Sequence, residues 1–170
     1  MAPAVQRPTP DSDEPANRVL RKGLLALGAA GVVGTSVELA MQRHWTSALQ
    51  LVPWAVLVPL GVAIGALWLR PGRATVKVAR VVASIVVVTS GFGVFEHVKA
   101  NYDAGPLDRR YSARWETMSE PARWWTAASG GVGPSPPLAP GVIAQAAFCL
   151  GLATVHHPAG SRPRGSRRRS

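Results

Sequence analysis

The side chains whose types and positions could do chemistry are Glu38, His44, His97 and Asn101. Glu38 is the single ionisable residue in the run Gly23 to Met41, GLLALGAAGVVGTSVELAM. A carboxylate inside an apolar span is costly to keep, which makes it a candidate for function, although this one lies just over a turn from the end of its run. His97 follows Ser90 and Gly93 and precedes Asn101 at spacings of three and four, which puts all of them on one helical stripe. A stripe of small and polar residues on an apolar helix belongs against other helices rather than lipid. If the first and third apolar runs are parallel helices, Glu38 and His97 lie within about one turn in depth and can pair as carboxylate and imidazolium. His44, just past the first run, completes the candidate polar cluster.

A redox or ligand-binding role at such a cluster competes with a purely structural one. A histidine pair holding haem needs both imidazoles at one depth inside the membrane, and His44 follows its span instead of sitting in it. The chain has no HExxH, no cysteine cluster, no GxSxG and no phosphate-binding glycine loop. No metal or cofactor is therefore expected, and the motifs identify no catalytic residue. The lone Cys149 sits in an apolar run and reads as a small buried hydrophobe. His156 and His157 read as an anchor at a helix end, where cations are favoured.

These residues need helices to position them, and the chain offers four apolar runs. The first is 19 residues with one charge and spans about 28 Å as a helix, close to the bilayer core. Its flank carries Arg18, Arg21 and Lys22, a pattern shared with secretory signals, but the apolar run is too long and lacks a cleavage site. Spans are expected at about 23–42, 48–69, 77–97 and 138–155, the first two joined as an antiparallel hairpin. Trp45 and Trp68 bracket the second span at headgroup depth, and Pro53 and Pro59 inside it are tolerable in a lipid-buried helix. Residues 1–17, with four prolines and three acids, read as a disordered tail, and 156–170 as a basic one.

Residues 98–136 form the sizeable segment outside the spans and contain Tyr102, Tyr111, Trp115, Trp124 and Trp125. From Asp108 as N-cap, Tyr111, Trp115 and Met118 recur at i, i+4, i+7, a row that extends back to Leu107 and predicts an amphipathic helix with an aromatic face. A second short helix is predicted from Ser119 with Pro121 in its first turn. Ser129 to Pro140, SGGVGPSPPLAP, is expected to be irregular.

The formal charge is +10, and its distribution matters more than its size. Thirteen Lys and Arg fall in the two tails and the 70–80 loop, against six on the other side of the spans. The positive-inside rule then places both termini in the cytoplasm and segment 98–136 outside a cell membrane. Arg73, Lys77 and Arg80 share one helical face and can reach anionic lipid at the cytoplasmic surface. The net charge is a topology signal, and nucleic-acid binding is excluded for want of a soluble basic domain.

The expected fold is all-α: a four-helix transmembrane bundle with an extracytoplasmic amphipathic-helical segment between the third and fourth spans. The phrases ELAMQRHWTSALQLVPW, AGPLDRRY and GPSPPLAPG resemble a group of small bacterial four-span integral membrane proteins of unknown function. That resemblance implies an architecture and no activity. The leading functional expectation is a non-enzymatic accessory or interaction module in the bilayer, meeting lipid, a second copy or another membrane protein. The alternative is a redox or ligand-binding protein using Glu38 and His97.

Overall fold

Apolar runs in this chain become helices because a helix satisfies its own backbone while its side chains meet an apolar surround. In the computed structural model, which describes residues 14–160, the helices are α1 Glu14–Met41, α2 Ala48–Leu69, α3 Arg73–Ala104, α4 Ser112–Trp115, α5 Glu120–Ala128 and α6 Ala139–Ala153. Short 3-10 turns occupy Gly105–Leu107 and Pro158–Gly160, and no strand occurs among the described residues. The fold is all-helical, with α1, α2 and α3 long and apolar enough to cross a membrane.

Several bounds differ from the sequence expectation. Residues 14–17 belong to α1 instead of a tail, since Glu14 favours a helix N-terminus and pairs with Arg18 one turn on, at 3.4 Å. The rest of the N-terminal tail and the basic stretch from 161 lie outside the described residues. At the C-terminal side, Pro158–Gly160 forms a turn packed on α3, with Ala159 against the core. The largest difference concerns 138–155: α6 has only 15 residues, about 22 Å of helix, less than a bilayer core. Pro140 does sit in its first turn as expected, and residues 129–138 are irregular.

The α1–α2 connection is a Schellman cap. His44 N–H bonds Leu39 O at 2.9 Å and Arg43 N–H bonds Ala40 O at 3.1 Å, while Arg43 takes the left-handed conformation with φ 51° that glycine usually fills. Ser47 then caps α2 through Gln50 N–H.

α2 packs on α1 and α3, and α6 packs on α1 and α3 from the other side. The α6 contribution to the core is mostly small, with Ala146, Ala147 and Ala153 beside Ile143 and Leu150, so its neighbours approach closely. A methyl group at Gly28 would stand 3.3 Å from Ala146 O, which is why α1 carries glycine there. Gly28 meets Ala146 and Cys149, whereas Arg21 meets His156, so α6 runs antiparallel to α1. By the same reading of Gly93 with Pro140 and Arg80 with Thr154, α6 is antiparallel to α3. Large side chains such as Val33, Val37, Val58, Val62, Ile85, Val88 and Phe92 point away from this core and are exposed. That inverts the polar exterior of a water-soluble helical domain.

Candidate functional site

The stripe on α3 faces inward, as its spacing predicts. Ser90 is buried, Gly93 lies against Pro140, His97 is half-buried and Asn101 is fully buried. Its work is to hold backbone. Asn101 donates from Nδ2 to Ser135 O at 2.7 Å and to Ala127 O at 3.3 Å, and its Oδ1 accepts from Ser135 N at 2.9 Å. One turn earlier, His97 Nδ1 lies 2.8 Å from Pro136 O. A carbonyl has no proton to give, so the Nδ1–H is the donor in this contact.

These bonds explain how α6 can be short. The chain enters α6 through Ser129–Leu138, where three prolines and three glycines deny it a helical ladder. Buried backbone without a ladder must be satisfied by side chains. Asn101 mimics a strand partner for Ser135, taking both its N–H and its C=O, and His97 takes the next carbonyl. Gly133, at φ 77°, brings the chain over Asn101 so closely that any Cβ would collide with that side chain. Asp108 adds a weak bond at 3.4 Å to Gly133 N–H.

An aromatic lid closes over this clamp. Trp115, only 2% exposed, is seated over Gly105, where a Cβ would occupy the space of the indole. Tyr102 meets Trp115 edge-on at 5.5 Å between centroids and stacks on Trp124 at 4.5 Å; its hydroxyl donates to Glu120 Oε1 at 3.1 Å. Arg114 lies over the Tyr111 ring at 4.4 Å. Arg123 donates to Glu116 O at 2.9 Å, anchoring α5 to α4.

The single amphipathic helix expected from Leu107 to Met118 does not form. Tyr111, Trp115 and Met118 do converge on one apolar cluster, but Leu107 is 84% exposed and only α4, a single turn, is helical. Asp108 starts a turn, its Oδ1 accepting from Arg110 N–H at 2.9 Å. Beyond α4 the last turn tightens, with Arg114 O accepting the Thr117 hydroxyl at 2.7 Å and the Thr117 N–H at 3.0 Å as well as the Met118 N–H at 3.1 Å. The second helix does start as predicted, with Ser119 as the residue before α5 and Pro121 in the first turn.

The pairing of Glu38 with His97 is not formed. Glu38 is exposed and accepts from Gln42 Nε2 at 3.1 Å on its own helix. No hydrogen bond or ion pair joins it to His97 among the described residues. The reason is neighbour order: α1 and α3 are parallel as expected, but α6 packs between them and takes the inward face of both. Burial first, and then the like charge of His97, push the His44 pKa below the ordinary 6.5, and its carbonyl accepts from Trp54 Nε1 at 2.8 Å. Asp108 is held well below the usual carboxylate range by the Arg110 side chain, with the Arg110 backbone N–H second.

The candidate cluster thus separates into a clamp, His97 and Asn101, and two residues that belong to the α1–α2 turn, Glu38 and His44. Sequence reasoning missed Gly133 and Ser135, the recipients of the clamp; the glycine-proline alternation in GVGPSPP was their available signal. No group of three or more His, Cys, Asp or Glu able to hold a metal occurs among the described residues. No protein family, curated protein or solved structure matches this chain.

Proposed function

We propose that the chain is a four-span integral membrane protein acting as a non-enzymatic interaction module, with both termini cytoplasmic and the aromatic lid outside. The observation that carries this reading is the use made of the polar stripe: His97 and Asn101 are spent on backbone, so the polar groups best suited to chemistry serve to build a shape. α6 and the clamped segment before it together supply the depth that 15 helical residues lack. Three apolar helices with exposed Val, Ile and Phe support the bilayer as surround. The basic residues of Arg18–Lys22 and Arg70–Arg80 support a cytoplasmic assignment for their end. At the opposite rim, Trp125 (75% exposed) and Leu138 (76%) offer apolar surface beside the lid, where a partner or a second copy would bind.

A photoreactive benzophenone side chain at position 125, activated in native membranes, tests this reading. A discrete protein adduct, to another membrane protein or to a second copy, is the expected result. Adducts to lipid alone would contradict the interaction role. The redox alternative loses its premise with the separation of Glu38 from His97; a visible absorption band in the purified protein would restore it.

A further inference from the structure

At the end of the molecule opposite the lid, Arg73, Lys77 and Arg80 converge on a cleft. Their i, i+4, i+7 spacing sets them on one face of the first turns of α3. The cleft, of about 220 Å³, is lined by these three cations, Val76 and Gly160, and no acid lines it. Its far wall is the Pro158–Gly160 turn, fixed by Gly160 N–H to His157 O at 2.8 Å and by Ala159 packed on the core. The cleft is therefore a shaped site with a rigid wall, and not merely a charged helix face.

We propose that this cleft binds the headgroup phosphate of an anionic phospholipid. Arg80 is already oriented for it: Nε donates to Thr154 Oγ1 at 3.2 Å and Nη2 to Thr154 O at 2.8 Å, which fixes the guanidinium plane at the cleft wall. Less side-chain freedom is then lost on binding, and the donors not used by Thr154 suit a planar contact with phosphate oxygens. Lys77 adds a mobile point charge. Arg21 and Arg80 also reach His157 beside the turn, adding to the burial that lowers its pKa. Val76 floors the site, and beyond it α3 exposes Val78, Val81 and Ile85. A ligand that is anionic at its head and apolar behind matches this succession; a free anion uses only the first part of it. The cleft is smaller than the roughly 300–1,000 Å³ typical of sites for whole small molecules and suits a headgroup. Basic pockets among membrane helices on the cytoplasmic side bind such headgroups.

The inference rests on the membrane reading, because it needs the start of α3 at headgroup depth. Thermal unfolding of the delipidated protein in neutral maltoside detergent tests it, with dioctanoyl phosphatidylglycerol, dioctanoyl phosphatidylcholine and inorganic phosphate as probes. Phosphatidylglycerol should raise the midpoint, and the other two at equal concentration should not. Lys77→Gln should weaken the apparent affinity about tenfold or more, as expected for loss of a charged contact. Gly160→Leu, which keeps all three charges, should abolish the shift by filling the cleft: a Cβ there already stands 3.4 Å from Val76 Cγ1 and 3.9 Å from Arg80 Nη2. Arg18→Gln, on a residue paired with Glu14, should leave the shift intact. An equal response to phosphatidylcholine or to phosphate, or a full response in Lys77→Gln, would overturn the site. A protein that requires detergent but ignores the lipid refutes the site alone; one that stays monomeric and folded without detergent refutes the membrane reading beneath it.

Discussion

Asn101 holds the segment before α6 by bonding three backbone groups with one amide. Removing it strands the Ser135 N–H and C=O, each at about 1–3 kcal/mol, while Ala127 O keeps the Gly130 N–H. Asn101→Leu should therefore destabilise the protein by about 3 kcal/mol or more in detergent unfolding. Asn101→Asp should be no better, since it replaces the donor to Ser135 O and Ala127 O with an acceptor; wild-type stability in either variant would refute the clamp. Glu38 is the contrasting case. Exposed and, among the described residues, bonded through its side chain to Gln42 alone, it should tolerate Glu38→Gln with a change of about 0.5 kcal/mol or less. In a double-mutant cycle, Glu38→Gln and His97→Gln should add within about 0.5 kcal/mol, as separated residues do. Arg43 is the place where a residue is mismatched to its backbone. At φ 51° it occupies the glycine position of the α1 cap, so Arg43→Gly should gain about 1 kcal/mol, and a loss would mean that its side chain has a role in the turn. The inward orientation of Ser90, Gly93, His97 and Asn101 was legible from spacing alone, because helical periodicity fixes which residues share a face. Their partners were not legible, because these are backbone atoms of a segment whose path no periodicity describes.

Among the elements, α2 was readable to its ends because a continuous apolar run bounded by Ser47 and Arg70 leaves no competing structure. α5 was readable from Ser119 and Pro121 for the same local reason. The 107–118 region was not, since an i, i+4, i+7 row of aromatics also arises when a turn and one helical winding gather side chains around a single indole. The lid should unfold with acid in a defined sense. The Asp108 carboxylate has a folded pKa below its unfolded value, so its contribution is present above the ordinary carboxylate range and is lost as pH falls below about 4. His44 and His157 are also lowered, by burial first, so their neutral forms favour the folded state. The stability they confer is full above the unfolded value of 6.5 and declines as pH falls through it toward their folded values. Thermal midpoints measured from pH 8 to pH 5 should fall; a rise on acidification would contradict the environments assigned to both rings.

For the whole molecule, the sequence gives helix directions but not neighbour order. That α1 and α3 are parallel follows from counting spans. That α6 packs between them depends on small residues meeting across helices, as Gly28 meets Ala146 and Gly93 meets Pro140, and several pairings of small residues were open in the sequence. The short α6 makes the span count decisive for the four-span reading, since 15 residues alone do not cross a bilayer core. Impermeant maleimide labelling of single cysteines, in intact cells and in a background lacking Cys149, measures it directly. Thr46→Cys and Ser129→Cys should label from outside, whereas Asn17→Cys and the exposed Pro158→Cys should label only after the membrane is opened. Labelling of Pro158→Cys from the same side as Ser129→Cys would mean that α6 with its clamped segment does not cross, and would contradict the four-span module.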